Sequence, residues 1–246
     1  MLDSVNSIKK SQKDIVENIV LSAENLTRSY QRGEHGQRTF DAVKDASLDL
    51  RTGMLTEIVG HSGSGKTTLL NMAAGLLTPS SGKVLLDGKD MYSLSDNELS
   101  RLRNEKIGVV PQGQTALSSL TVLENVLFPS TLYRRLVPDE TVDRAKNLLC
   151  HVGLTDLMDS MPSELSGGEL RRMAIVRALI NKPKVLMADE PTGDLDKENT
   201  RIVLEILRKT ASGGTAVLLV THEADAAHYA DEVYEMEEGR LTRKEE

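Results

Sequence analysis

The segment Gly60-His61-Ser62-Gly63-Ser64-Gly65-Lys66-Thr67 matches the pattern G-x-x-x-x-G-K-[ST]. Glycines at 60, 63 and 65 let backbone N–H groups turn inward as an anion nest, with Ser62 and Ser64 between them. A helix beginning at this point, through Thr67 and Thr68, adds the positive end of its dipole. In such a loop Lys66 reaches the β- and γ-phosphates of a nucleotide, and the Thr67 hydroxyl is a ligand for Mg²⁺. A second group of reactive side chains closes the run Val185-Leu186-Met187-Ala188-Asp189-Glu190. Two carboxylates at the end of an apolar strand sit where α/β sheets place their ligands. Asp189 is suited to hold Mg²⁺ through water. Glu190, one residue on and pointing elsewhere, is suited to polarise an attacking water as a general base. An Asp-Glu pair after a strand is ordinarily a solvated turn, and the phosphate loop is what gives this pair a chemical reading.

Those residues need a rigid frame, and the hydropathy pattern supplies one. The runs Leu55–Gly60, Ile107–Val110, Val185–Ala188 and Ala216–Val220 read as short apolar strands covered on both faces, which points to a parallel α/β sheet. Val20–Leu26 and Thr39–Leu50 alternate apolar with polar residues, as half-buried antiparallel strands do. Turn signals at Pro79–Gly82 and Asp87-Gly88 bracket a further strand, Val84–Leu86. Three S/T-x-x-E capping boxes, Ser95 with Glu98, Thr121 with Glu124 and Ser166 with Glu169, mark helix starts. Helices are expected over Thr68–Leu77 and Leu170–Ile180. Residues from about 95 to 170 read as mostly helical apart from the strand near 107–111, a block expected to form a helical subdomain.

Composition bounds the rest. With 246 residues, 39% apolar and 27% charged, the chain has the make-up of one large folded domain. Two Phe, five Tyr and no Trp leave too few rings for a surface that binds single-stranded nucleic acid by repeated stacking. A net charge of −7 gives no bulk attraction for nucleic acid or anionic lipid, so no direct nucleic-acid partner is expected. The longest unbroken apolar run, Ala216–Val220, is far below the ~20 residues that span a bilayer. Residues 1–18 read as a polar extension without an export signal. The single cysteine, Cys150, excludes an internal disulfide and is read as a packing residue.

From about residue 19 onward the motifs resemble those of the nucleotide-binding subunit of ATP-binding cassette (ABC) transporters. Leu165-Ser166-Gly167-Gly168-Glu169 resembles the family's signature motif, itself a helix N-terminus with two glycines and a capping serine. Tyr30 resembles the aromatic residue that stacks on adenine, and Gln112 the Q-loop glutamine that senses Mg²⁺ and the attacking water. Thr192–Asp196, with Asp194 at its centre, resembles the D-loop, and His222 the switch histidine at the γ-phosphate.

The resemblance implies a P-loop NTPase (RecA-like) core with an N-terminal antiparallel β subdomain and an inserted α-helical subdomain. It also implies an ATPase using ATP and Mg²⁺, with Thr67, Gln112 and Asp189 around the metal and Lys66, Gln112, Glu190 and His222 as catalytic groups. Two copies would pair head to tail, Ser166, Gly167 and Gly168 of one closing on the phosphates held by the other. The pair would drive a separately encoded membrane permease from the cytoplasmic face of the membrane. Within the family, Leu94–Lys106, Leu120–Val126 and Ala188–Asp196 are similar to the branch of macrolide exporters, lipoprotein-releasing ATPases and antimicrobial-peptide resistance transporters. The chain departs from that branch in two places: Pro111 precedes Gln112 where an aromatic is usual, and Glu169 with Arg171 and Arg172 replaces a Gln-rich stretch. An ATPase signalling to cell-wall or cell-division machinery is the alternative within the family. A non-transport ATPase acting on nucleic acid or ribosomes is the more distant one, disfavoured by a single cassette without sustained heptads.

Overall fold

The computed structural model describes residues 18–32, 38–113 and 115–244. All but the last residue of the proposed N-terminal extension, 1–18, lies outside them. The chain begins as a long antiparallel pair, β1 (Ile19–Arg32) and β2 (Arg38–Arg51), then enters the central sheet at β3 (Leu55–Val59). There follow α1 (Lys66–Ala73), β4 (Ser81–Leu86), β5 (Lys89–Asp90), α2 (Asp96–Lys106) and β6 (Ile107–Val110). Two more helices, α3 (Val122–Thr131) and α4 (Asp139–His151), precede α5 (Gly167–Leu179). The chain closes with β7 (Val185–Asp189), α6 (Lys197–Ser212), β8 (Ala216–Thr221), a 3₁₀ segment Ala224–Tyr229, β9 (Glu232–Glu237) and β10 (Arg240–Arg243).

The strands form two sheets. One is antiparallel, in the order β2-β1-β4-β5, and the other has six strands in the order β10-β9-β3-β8-β7-β6. In the second, β9, β3, β8, β7 and β6 run parallel and only β10 is antiparallel to its neighbour. Both expected alternating runs became the long antiparallel pair, and all four expected buried runs became neighbours in the parallel sheet. Strand β7 shows why an unbroken apolar run was needed. Val185 and Met187 face the cluster shared with α1 and the antiparallel sheet, while Leu186 and Ala188 face the cluster shared with α6. A third cluster joins Val122 and Val126 of α3, Ala145 and Leu149 of α4, and Met173 and Val176 of α5.

All three capping boxes are closed in both directions, at Ser95/Glu98, Thr121/Glu124 and Ser166/Glu169. Two readings need correction. Cys150 is exposed, because the buried stripe of α4 falls on Thr141, Ala145 and Leu149 and the cysteine lies one position past it. The run Leu55–Gly60 is not apolar throughout: Thr56 and Glu57 are fully buried in β3. Among the described residues no helix is long and apolar enough to cross a membrane.

Neither carboxylate oxygen of Glu57 has a hydrogen-bond partner. Burial pushes its pKa from the ordinary 4.5 up to about 7, with Lys244 pulling weakly the other way. The folded chain therefore binds more protons than the unfolded chain between those two values. Stability contributed by the neutral carboxyl is present below pH 4.5 and is lost as pH rises to about 7. Glu57→Gln should match the native chain in thermal midpoint near pH 5 and exceed it by several degrees at pH 8. A difference that does not change with pH would show that Glu57 is charged and paired.

Candidate functional site

Chain geometry at the head of α1 dictates the glycines of the phosphate loop. A Cβ on Gly60 would overlap the carbonyl oxygen of Met236 in β9. One on Gly65, at φ +110°, would overlap the carbonyl oxygen of Ala42 in β2. The loop is also tied from outside. Gly239, in the β9–β10 turn, donates its N–H to the Ser64 carbonyl (2.9 Å), and Lys44 of β2 donates to the Gly239 carbonyl (2.7 Å). Inside the loop, the N–H groups of Gly63, Gly65, Lys66 and Thr67 donate to no acceptor among the described residues. The Ser64 hydroxyl is buried without a partner. Unpaired donors at a helix N-terminus are what a polyphosphate requires.

Lys66 is buried, and its Nζ donates to the carbonyls of Gly60 (2.6 Å) and His61 (3.0 Å), which hold the ammonium at the mouth of the loop. The hydroxyl of Thr67 donates to Oδ1 of Asp189 (3.1 Å), joining two of the three residues expected around Mg²⁺. Burial raises the pKa of Asp189, the Thr67 hydrogen bond opposes this, Glu190 adds to the rise and Lys66 lowers it. Among the described residues no group of three or more His, Cys, Asp or Glu side chains could hold a metal ion. One buried carboxylate and one hydroxyl beside a phosphate cradle suit Mg²⁺, which takes one or two protein ligands and completes its shell with phosphates and water.

Glu190 leaves β7 with φ +47°, while its N–H still pairs with the Val220 carbonyl (2.8 Å). Its Oε2 lies 2.8 Å from Nδ1 of His222, the residue after β8. Glu190 is buried and the His222 side chain is exposed, so the pair spans the step from sheet edge to surface. Lys66, Thr67, Asp189, Glu190 and His222 thus converge at the carboxyl ends of the adjacent strands β3, β7 and β8. A cation, a hydroxyl–carboxylate pair suited to Mg²⁺ and a carboxylate steered by an imidazole are the parts of a phosphoryl-transfer site.

The sequence profile of the ABC transporter family matches residues 43–193, more than half of the chain. The chain belongs to the ABC transporter family. It is an ATP-binding ATPase of that family. The "Lipoprotein-releasing system ATP-binding protein LolD" of Buchnera aphidicola subsp. Schizaphis graminum is 40% identical over 225 residues, covering 91% of this chain and 96% of the relative. The protein of the same name from Pseudomonas syringae pv. tomato is 43% identical over 223 residues, covering 90% and 96%. Among solved structures, a dimeric structure of MJ0796, a bacterial ABC transporter cassette, superposes with a TM-score of 0.83 at 34% identity, covering 92% of this chain and 98% of that one. A post-hydrolysis dimer of MJ0796 bound to ADP and Pi superposes with the same TM-score, 0.83, at 33% identity, covering 92% and 98%.

The remaining motif residues share no side-chain hydrogen bond with this group among the described residues, though the Gly193 N–H, in the loop that carries Asp194, donates to the Glu190 carbonyl (3.2 Å). Gln112, Gly167 and Asp194 line a separate cavity of about 230 Å³ together with Arg171 and Leu195. Ser166 caps α5 and its hydroxyl is bound to Glu169 (2.7 Å). Gly168 packs so closely on Asn199 that a Cβ would overlap the amide. Among the described residues no hydrogen bond joins Gln112 or Ser166 to the phosphate loop of the same chain. Tyr30, in β1, pairs with Phe40 in β2, and their rings stack at 5.7 Å with a 26° interplanar angle. The Arg28 guanidinium lies 4.9 Å from the Tyr30 ring centre. Residue types alone do not assign Phe40 or Arg28 to this site; pairing the two alternating runs in register sets the rings side by side.

Tyr30→Ala should weaken ATP binding several-fold while leaving the maximal turnover rate nearly unchanged, since one aromatic stack contributes only ~1–3 kcal/mol. Titration with a fluorescent ATP analogue measures the first, and steady-state hydrolysis the second. Unchanged affinity would move the adenine elsewhere.

Proposed function

We propose that this chain is the ATP-hydrolysing subunit of a lipoprotein-releasing transporter, working as a head-to-tail homodimer on a separate membrane permease. One observation carries the hydrolytic part: Lys66, the Thr67–Asp189 pair and the Glu190–His222 pair meet at one sheet edge beside unpaired loop amides. The relatives named as lipoprotein-releasing ATP-binding proteins support lipoprotein as the substrate class.

In this reading the loop amides and Lys66 bind the β- and γ-phosphates, while Tyr30 stacks on adenine. Thr67 and Asp189 would hold Mg²⁺, Gln112 would join them as a further ligand, and the metal would supply charge neutralisation at the phosphate oxygens. Glu190 orients and deprotonates the attacking water, and His222, hydrogen-bonded to it, fixes the carboxylate beside the γ-phosphate. Ser166, Gly167 and Gly168 of the partner subunit complete the phosphate shell, in keeping with the dimeric form of the MJ0796 cassette. Asp194 belongs to the crossing between subunits.

Permease docking is assigned to a groove of about 430 Å³ between α2, β6 and α3. Leu76, Phe128 and Leu132 on its walls, with Leu136 four positions on along the chain at 85% exposure, offer apolar surface that a membrane partner's cytoplasmic segment would cover. Thr115 and Arg177 line the same groove, so its occupant adjoins the segment that carries Gln112. In this reading the chain sits at the cytoplasmic face of the membrane through its partner.

Glu190→Gln is expected to bind ATP, to lose hydrolysis by two orders of magnitude or more, and to accumulate as an ATP-bound dimer measurable by light scattering. Wild-type turnover in that variant would remove Glu190 as the general base. Leu132→Asp combined with Leu136→Asp should abolish co-purification of a permease from solubilised membranes while leaving basal hydrolysis unchanged. Retention of the permease by that variant would place docking on another face.

A further inference from the structure

The two departures from the branch pattern noted in the sequence, Pro111 and the Arg-rich start of α5, touch each other. Arg171 donates from Nη1 to the carbonyl oxygens of Pro111 (3.1 Å) and Gln112 (3.0 Å). Farther along the same helix, Arg177 donates to the Thr115 carbonyl (2.7 Å) and to the Thr115 hydroxyl. One helix therefore grips the segment leaving β6 at both of its ends. Proline has no N–H, so the carbonyl is the only backbone group by which residue 111 can be held, and Arg171 holds it.

Neither guanidinium forms an ion pair within 4 Å among the described residues. Burial lowers the pKa of both, Asp194 opposing this at Arg171. Their hydrogen bonds go to loop carbonyls and the Thr115 hydroxyl, at a desolvation cost that a surface arginine would not carry. The next residue, Arg172, donates to Oδ1 of Asn199 (2.9 Å), whose amide donates to Asp196 (2.9 Å), the residue capping α6. Helix α5, which begins at the signature motif, is thus bonded to the Gln112 segment on one side and to the end of the Asp194 loop on the other.

We propose that Arg171 is a positioning residue for ATP hydrolysis: its bonds to the Pro111 and Gln112 carbonyls make the Gln112 backbone travel with α5. The side chain of Gln112 then reaches its working place only when the signature helix does. This rests on the reading that Gln112 serves hydrolysis, and the variants separate the two claims.

The test compares the full chain with Arg171→Ala, Arg171→Lys, Gln112→Ala and the double variant Arg171→Ala/Gln112→Ala, recording kcat, KM for ATP, affinity for a fluorescent ATP analogue and Tm. Arg171→Ala is expected to lower kcat about tenfold, as loss of hydrogen bonds from a charged donor implies, with ATP affinity within about twofold of native. Arg171→Lys should recover part of kcat. The double variant should be no slower than Gln112→Ala within about twofold, because both changes act through one group. Native kcat in Arg171→Ala, or losses that multiply in the double variant, would overturn the inference. So would a fall in kcat that follows Tm and is not rescued by lysine. Native turnover in Gln112→Ala would instead remove the role of Gln112 on which the inference stands.

Discussion

A phosphate cradle built from backbone N–H groups must leave those groups unpaired, and much of this fold follows from that requirement. A loop whose N–H groups at Gly63, Gly65, Lys66 and Thr67 stay unpaired has few bonds of its own, the Ser64 N–H to the His61 carbonyl and the two from Lys66, and leans on its neighbours. Here Gly239 of the β9–β10 turn takes the Ser64 carbonyl, and the carbonyls of Ala42 and Met236 press against Gly65 and Gly60 where side chains would be. The long antiparallel pair β1–β2 is thus a wall of the loop as well as the support of Tyr30. The terminal hairpin β9–β10 joins that wall to the loop through Lys44 and Gly239.

The same logic extends to charge. Lys66 is buried but solvated by two carbonyls, Asp189 is buried beside a hydroxyl, and Glu190 leans on an exposed imidazole. Each charged group is partly satisfied, and no ion pair couples Lys66 to either carboxylate among the described residues. A strong Lys66–Asp189 pair would stabilise the empty site and would have to break before phosphates and a divalent cation could enter. Partial satisfaction keeps the groups in place and leaves their charge available. Burial is the chief cause of the raised pKa of Asp189, and that shift is the cost of placing a carboxylate there.

What was legible in the sequence was whatever local pattern specifies. The three capping boxes close as the S/T-x-x-E spacing requires, because the interaction spans four residues and needs no tertiary partner. The buried strands were legible from apolar runs and the phosphate loop from its glycines. Strand β9 was not, since Glu232, Glu235 and Glu237 break its apolar pattern and it lies next to the sheet's edge. Glu57 was hidden for the opposite reason: strong neighbours made the run read as apolar, and the carboxyl went in with it. The stacking of Phe40 on Tyr30 and the bonds of Arg171 to residues 111 and 112 depend on register and on contacts about 60 positions apart, which no window along the chain contains.

Helix α5 shows what such distant contacts accomplish. Ile175 packs in the cluster beneath the parallel sheet, while Met173 and Val176 pack in the helical cluster, so the helix is apolar on two sides and belongs to both bodies. A helix shared in this way cannot shift against one cluster without disturbing the other. Its polar positions carry the consequence outward, through Arg171 and Arg177 to the segment around Gln112 and through Arg172 and Asn199 to the cap of α6. An aromatic residue before Gln112 would keep its N–H for other partners and anchor the segment by packing. Proline gives up that donor, and the arginine that meets its carbonyl replaces packing with hydrogen bonds that have direction. The exchange makes the position of the loop depend on the position of one helix, and the groove lined by Thr115 and Arg177 opens onto that same segment.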